Sequence, residues 1–73
     1  MCLAVPGKIS TIEGLDRNEL LRTATVDFNG TTASVSLMLT PEAHVGDYVL
    51  VHAGQSLDVI EPADAAAIWK YLT

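Results

Sequence analysis

Cations are scarce in this sequence: four Lys plus Arg stand against nine Asp plus Glu, for a formal net charge of −5. Proteins that bind nucleic acid or anionic membranes draw most of their affinity from Lys and Arg on phosphates, so this balance argues against both partners. A modest negative charge instead favours solubility, and it is compatible with a protein partner or a cationic cargo. Cysteine is reduced to a single residue, Cys2, which excludes an internal disulfide and with it a secreted disulfide framework. Aromatics are limited to Phe28, Tyr48, Trp69 and Tyr71, so the core must be built from Val, Ile, Leu and Ala. No apolar run approaches the ~20 residues of a membrane span. Pro6-Gly7-Lys8 also interrupts the only stretch that could act as the apolar part of a signal peptide. The expected location is therefore the cytoplasm, where a reducing environment keeps a lone thiol free.

What remains is enough for one domain. The 73 residues, 49% of them hydrophobic, lie at the lower edge of what a single core supports. Val5–Ile12 reads as a first strand, with Pro6-Gly7 bending its entry and Pro6 at its start because a residue without an N–H suits a strand start or edge. A polar connection, Glu13–Glu19, leads to a second strand over Leu20–Phe28, with Ala24, Val26 and Phe28 on one face. Asn29-Gly30 is a strong hairpin signal, since a type I′ turn needs positive φ at both positions. The third strand is expected over Thr31–Leu39, the fourth over Tyr48–Ala53 and a short fifth over Leu57–Ile60. After Pro62 the period changes: Ala65, Ile68, Trp69 and Leu72 follow the spacing of an amphipathic helix. The expected architecture is a mainly β domain over 1–73: a small five-stranded OB-like barrel, about 3–60, with a C-terminal helix, about 62–72.

Chemistry-bearing residues are few. Cys2 has two readings, a small buried hydrophobe or a thiolate nucleophile or soft-metal ligand. Removal of the initiator Met would set its thiol beside a free α-amine, a pairing suited to holding a ligand. One thiolate cannot make a closed zinc or iron–sulfur site, so any metal held there must bring its own ligands or borrow a partner's. His52, at the end of the fourth strand, is either an outward-pointing strand residue or a second donor near Cys2. His44 reads as an exposed loop residue, Asp47 as a turn cap, and Glu61 and Asp64 as residues of a helix N-terminus. No carboxylate pair, phosphate loop, HExxH or nucleophile elbow is present, and nothing here builds an active site unaided.

Two segments resemble a known family. Met1-Cys2-Leu3-Ala4-Val5-Pro6-Gly7-Lys8 resembles the N-terminal signature of the HypC/HupF family of NiFe-hydrogenase maturation chaperones. Val45-Gly46-Asp47-Tyr48-Val49-Leu50-Val51-His52-Ala53-Gly54 is similar to that family's second motif. The resemblance implies a non-enzymatic OB-like chaperone that works with a HypD-like maturation factor. It would carry an Fe(CN)2CO unit as transient cargo, with no tightly bound cofactor of its own, and deliver it to the hydrogenase large-subunit precursor. By the same carry-over, Cys2 is the ligand of the iron unit, shared with the partner. Cys2, Pro6, Gly7 and His52 are partner-binding, with Pro6 and Gly7 forming the bend that presents the thiol. Two departures stand out. Family members usually continue the histidine block as Gly-Phe-Ala where this chain has Gly54-Gln55-Ser56, and Thr31–Val35 lacks the basic residues often found there. Both are expected to alter a partner-facing surface.

Two other function classes compete. One is an OB-type binding module for a different protein or a nucleic-acid ligand; oligonucleotide sites of that type use basic grooves and stacking aromatics, and this chain has neither. A thiol enzyme or redox protein using Cys2 would need a resolving cysteine, which is absent, or a base, for which His52 is the only candidate.

Overall fold

A computed structural model of the chain describes residues 4–13 and 22–72. Among the described residues five strands precede one helix: β1 (Val5–Glu13), β2 (Thr23–Phe28), β3 (Thr31–Ser36), β4 (Tyr48–His52), β5 (Gln55–Ile60) and α1 (Pro62–Leu72). The strands close into a barrel in the order β1-β2-β3-β5-β4. This is the expected OB-like barrel with a C-terminal helix.

Closure depends on β1 serving two neighbours. Its first half, Val5–Lys8, pairs antiparallel with β4, and its second half, from Lys8 to Glu13, pairs with β2. The register to β2 shifts between Ile9 and Thr11, leaving Ser10 as a bulge. A bulge bends and twists its strand, and it resets the alternation: Ile9 and Ile12, three residues apart, both pack in the core. β5 uses the same device. Its register with β4 shifts between Leu50 and Val51 and leaves Leu57 exposed, while Ser56 and Val59 turn inward.

The Asn29-Gly30 turn forms as expected, with φ of 61° and 112°, and the Gly30 amide donates to Asp27 Oδ1 at 2.7 Å. A second two-residue turn was not legible in the sequence. Ala53 and Gly54, with φ of 53° and 78°, join β4 to β5 and close on the pair His52↔Gln55. β4 therefore stops one residue before the expected Ala53, and β5 begins at Gln55 rather than Leu57. β1 runs one residue beyond the expected Ile12. β3 ends at Ser36 rather than Leu39, because successive turns take over: Met38 N donates to Ser36 Oγ, Thr40 N to Leu37 O and Ala43 N to Thr40 O. The expected start of the second strand at Leu20 lies outside the described residues, as does the connection 14–19; Arg22 precedes β2.

The core is aliphatic, as the composition demands: Ile9, Ala24, Val26, Val35, Leu37, Ala43, Val49 and Val51, with Phe28 packed at its margin. The seam is narrow. β3 and β5 run parallel and meet at one residue pair, Ser36↔Gln55, reinforced by Ser36 N donating to Gly54 O at 2.9 Å. α1 starts at Pro62, carries Asp64 in its first turn and Lys70 in its last, and so complements the helix dipole at both ends. It packs on β1 and β4, with Ala65 buried and Ile68 and Trp69 half-buried.

Candidate functional site

Of the four residues expected at the site, Cys2 lies outside the described residues. Pro6 and Gly7 are buried in β1, opposite Leu50 and Val49 of β4. Gly7 is there for space: a Cβ at this position would come within 2.4 Å of Val26 Cγ1 and 2.9 Å of Phe28 Cδ1. Both residues set the path of the strand that follows Cys2, and neither offers a side chain to the surface. His52 is half-buried at the end of β4. The β1–β4 register begins at Val5↔Val51. His52 follows Val51 as the last residue of β4, at the end of the barrel where β1 begins.

The other sequence readings fall on loops. The side chain of His44 is 83% exposed, and its amide donates to Asp47 Oδ2 at 2.9 Å, so Asp47 caps this turn. Thr31, Thr32, Ala33 and Ser34 are all exposed, and so is Gln55. Ser56 is not part of that surface. It is fully buried, where Thr40 Oγ1 donates to its Oγ at 2.8 Å. The expectation that Gln55-Ser56 as a whole alters a partner-facing surface is thus corrected: Gln55 faces solvent, and Ser56 belongs to the interior because the bulge at Leu57 turns it inward.

Sequence reasoning missed Arg22. Its guanidinium donates to the carbonyls of Pro41 and Ala43, the latter at 2.8 Å, while Arg22 O accepts from Leu37 N. One side chain thereby fixes the connection between β3 and β4 to the start of β2. A lone Arg after a polar stretch gives no local signal of such a contact.

Also missed was a cleft of about 480 Å³ between α1 and the barrel. Lys8, Asp27 and Tyr48 form one row across β1, β2 and β4, because Lys8 is in register with both of the others. The Lys8 ammonium sits 5.9 Å from the centre of the Tyr48 ring, within cation–π range. The facing wall is α1, through Pro62, Ala65, Ala66, Trp69 and Lys70, at the spacing of one helix face. Both lysines of the chain thus meet two of its four aromatics in one place, a basic and aromatic grouping that the linear sequence does not reveal. Among the described residues, no three His, Cys, Asp or Glu side chains come together to hold a metal ion. No helix among them is long and apolar enough to cross a membrane.

Comparison with known proteins bears on residues 1–72, which match the model of the HupF/HypC family. The chain is 39% identical over 61 residues to a protein of Synechocystis sp. named hydrogenase maturation factor HypC, covering 84% of this chain and 79% of the other. It is 37% identical over 67 residues to the protein of that name from Rhizobium leguminosarum bv. viciae, covering 89% and 79%. It is 38% identical over 71 residues to that of Escherichia coli K12, covering 89% and 71%.

Proposed function

Because the chain belongs to the HupF/HypC family, whose similar members are named hydrogenase maturation factors, we propose that it is a carrier for iron in the assembly of a NiFe hydrogenase. In this reading the Cys2 thiolate ligates an Fe(CN)2CO unit as cargo. A HypD-like factor shares that cargo, and the large-subunit precursor receives it. The observation that carries the proposal is the placement of the chain's one thiol at position two of a match spanning residues 1–72.

The coordination chemistry supports it. An iron already bearing one CO and two cyanides needs few further donors, and a thiolate is a suitable soft one. A single thiolate leaves the iron open to a partner's ligand and so can hand it on, whereas a closed site with three or four protein ligands would release its metal slowly. His52 closes β4 at the end where β1 begins, which favours a role beside Cys2 in contacting cargo or partner. Gly7, by fitting under Val26 and Phe28, fixes the strand that follows the thiol. The protein acts without turnover chemistry of its own, in the cytoplasm, where the thiol stays reduced.

The test is complementation. In a host lacking its own factor of this family, the chain should restore hydrogenase activity, and Cys2→Ala should abolish it while leaving the circular dichroism spectrum and thermal midpoint unchanged. Full activity with Cys2→Ala would remove the thiol from the mechanism.

A further inference from the structure

The cleft between α1 and the barrel has no part in the iron-carrying reading. Its volume, about 480 Å³, falls within the roughly 300–1,000 Å³ of ligand sites. From Pro62 to Lys70 it follows α1, eight steps of 1.5 Å or about 12 Å. That length matches three to four residues of extended chain at about 3.3 Å each. Gly7, Ala65 and Ala66 put little side-chain bulk into it, and Tyr48 and Trp69 contribute rings.

Charge identifies the occupant. The lining carries Lys8 and Lys70 against Asp27 alone, a local excess of +2 − 1 = +1 on a chain whose net charge is −5. Asp27 is in part committed elsewhere, since its Oδ1 accepts the Gly30 amide at 2.7 Å. Among the described residues neither lysine is in an ion pair. We propose that this cleft is a docking groove for a short extended segment of a partner protein, in which one or two carboxylates flank an apolar or aromatic side chain. The carboxylates meet Lys8 and Lys70, and the apolar side chain lies over Ala66 between Tyr48 and Trp69. A nucleic-acid strand fits less well, because two lysines neutralise too few phosphates against the negative charge on the rest of the chain.

Trp69, the only tryptophan, is a built-in reporter. The probe is the peptide N-acetyl-Glu-Phe-Glu-Ala-amide, titrated into the isolated protein and followed by Trp69 emission and by the NMR amide shifts of Ala65 and Ala66. The outcome does not depend on what Cys2 carries, so this proposal and the iron-carrying one fail separately. Saturable binding is expected, weakened about tenfold when Lys8→Gln and Lys70→Gln are combined or when both Glu of the peptide become Gln. Ala66→Phe, at an exposed helix position, should fill the groove and abolish binding while the circular dichroism spectrum is kept. Absence of saturation by about 1 mM, or equal affinity for the neutral peptide, would overturn the proposal. Tighter binding of a short oligothymidylate than of the peptide would overturn it in favour of a nucleic-acid site.

Discussion

Thr40 Oγ1 donates a 2.8 Å hydrogen bond to Ser56 Oγ, and both residues are buried beside the seam where β3 and β5 touch at a single pair. Two hydroxyls in an aliphatic interior are costly unless each satisfies the other. Thr40→Val should therefore destabilise the protein by about 1–2 kcal/mol, and Ser56→Ala by about 1 kcal/mol. Combined, the two should cost less than their sum, because the second removes the group that the first leaves unpaired. Urea unfolding of the four proteins measures this cycle. Strict additivity would show that the bond contributes nothing specific.

Gly7 sets a steric limit. A Cβ would lie 2.4 Å from Val26 Cγ1, on a residue with no exposed surface. Gly7→Ala should destabilise by about 1–3 kcal/mol through overpacking. Phe28→Leu in the same background should recover part of that loss, since the Phe28 ring is the other neighbour within 3 Å. Thermal denaturation of the single and double variants is the check.

Arg22 is expected to hold the connection between β3 and β4 as one unit. Arg22→Ala removes its donors to Pro41 O and Ala43 O and should cost about 1–2 kcal/mol. Hydrogen exchange should quicken most at the amides of Thr40 and Ala43, which close the turns it braces. Arg22→Lys should not restore protection, because an ammonium lacks the fork that spans two carbonyls.

Ala53 is a place to gain stability. At φ of 53° an alanine pays for a left-handed backbone that glycine and asparagine tolerate. Ala53→Gly or Ala53→Asn should raise stability by about 0.5–1 kcal/mol, seen as a higher thermal midpoint. A lowered midpoint for both would mean that the turn is held by contacts of the Ala53 methyl.

These positions also mark where the sequence was legible and where it was not. Asn29-Gly30 announced its hairpin because both residue types are selected by positive φ. Ala53-Gly54 makes the same kind of turn with a residue that carries no such signal, so the ends of β4 and β5 were misplaced by one and two residues. The bulges at Ser10 and Leu57 break the period-two pattern, and the family comparison of Gly54-Gln55-Ser56 gives no sign that Ser56 is core. The candidate site divides in the same way. Cys2 and His52 are candidates on motif and position along the chain alone. The row Asp27–Lys8–Tyr48 and its helix wall exist only once three strands and α1 are in register, and no linear spacing encodes that.

The role proposed for Cys2 is to hold an iron unit bearing CO and cyanide. The most direct measurement is the infrared spectrum of the protein co-purified from a host that expresses the maturation system. CO and CN stretching bands are expected in the wild-type sample and should be lost in Cys2→Ala recovered at equal yield. Bands of undiminished intensity in the Cys2→Ala sample would contradict it.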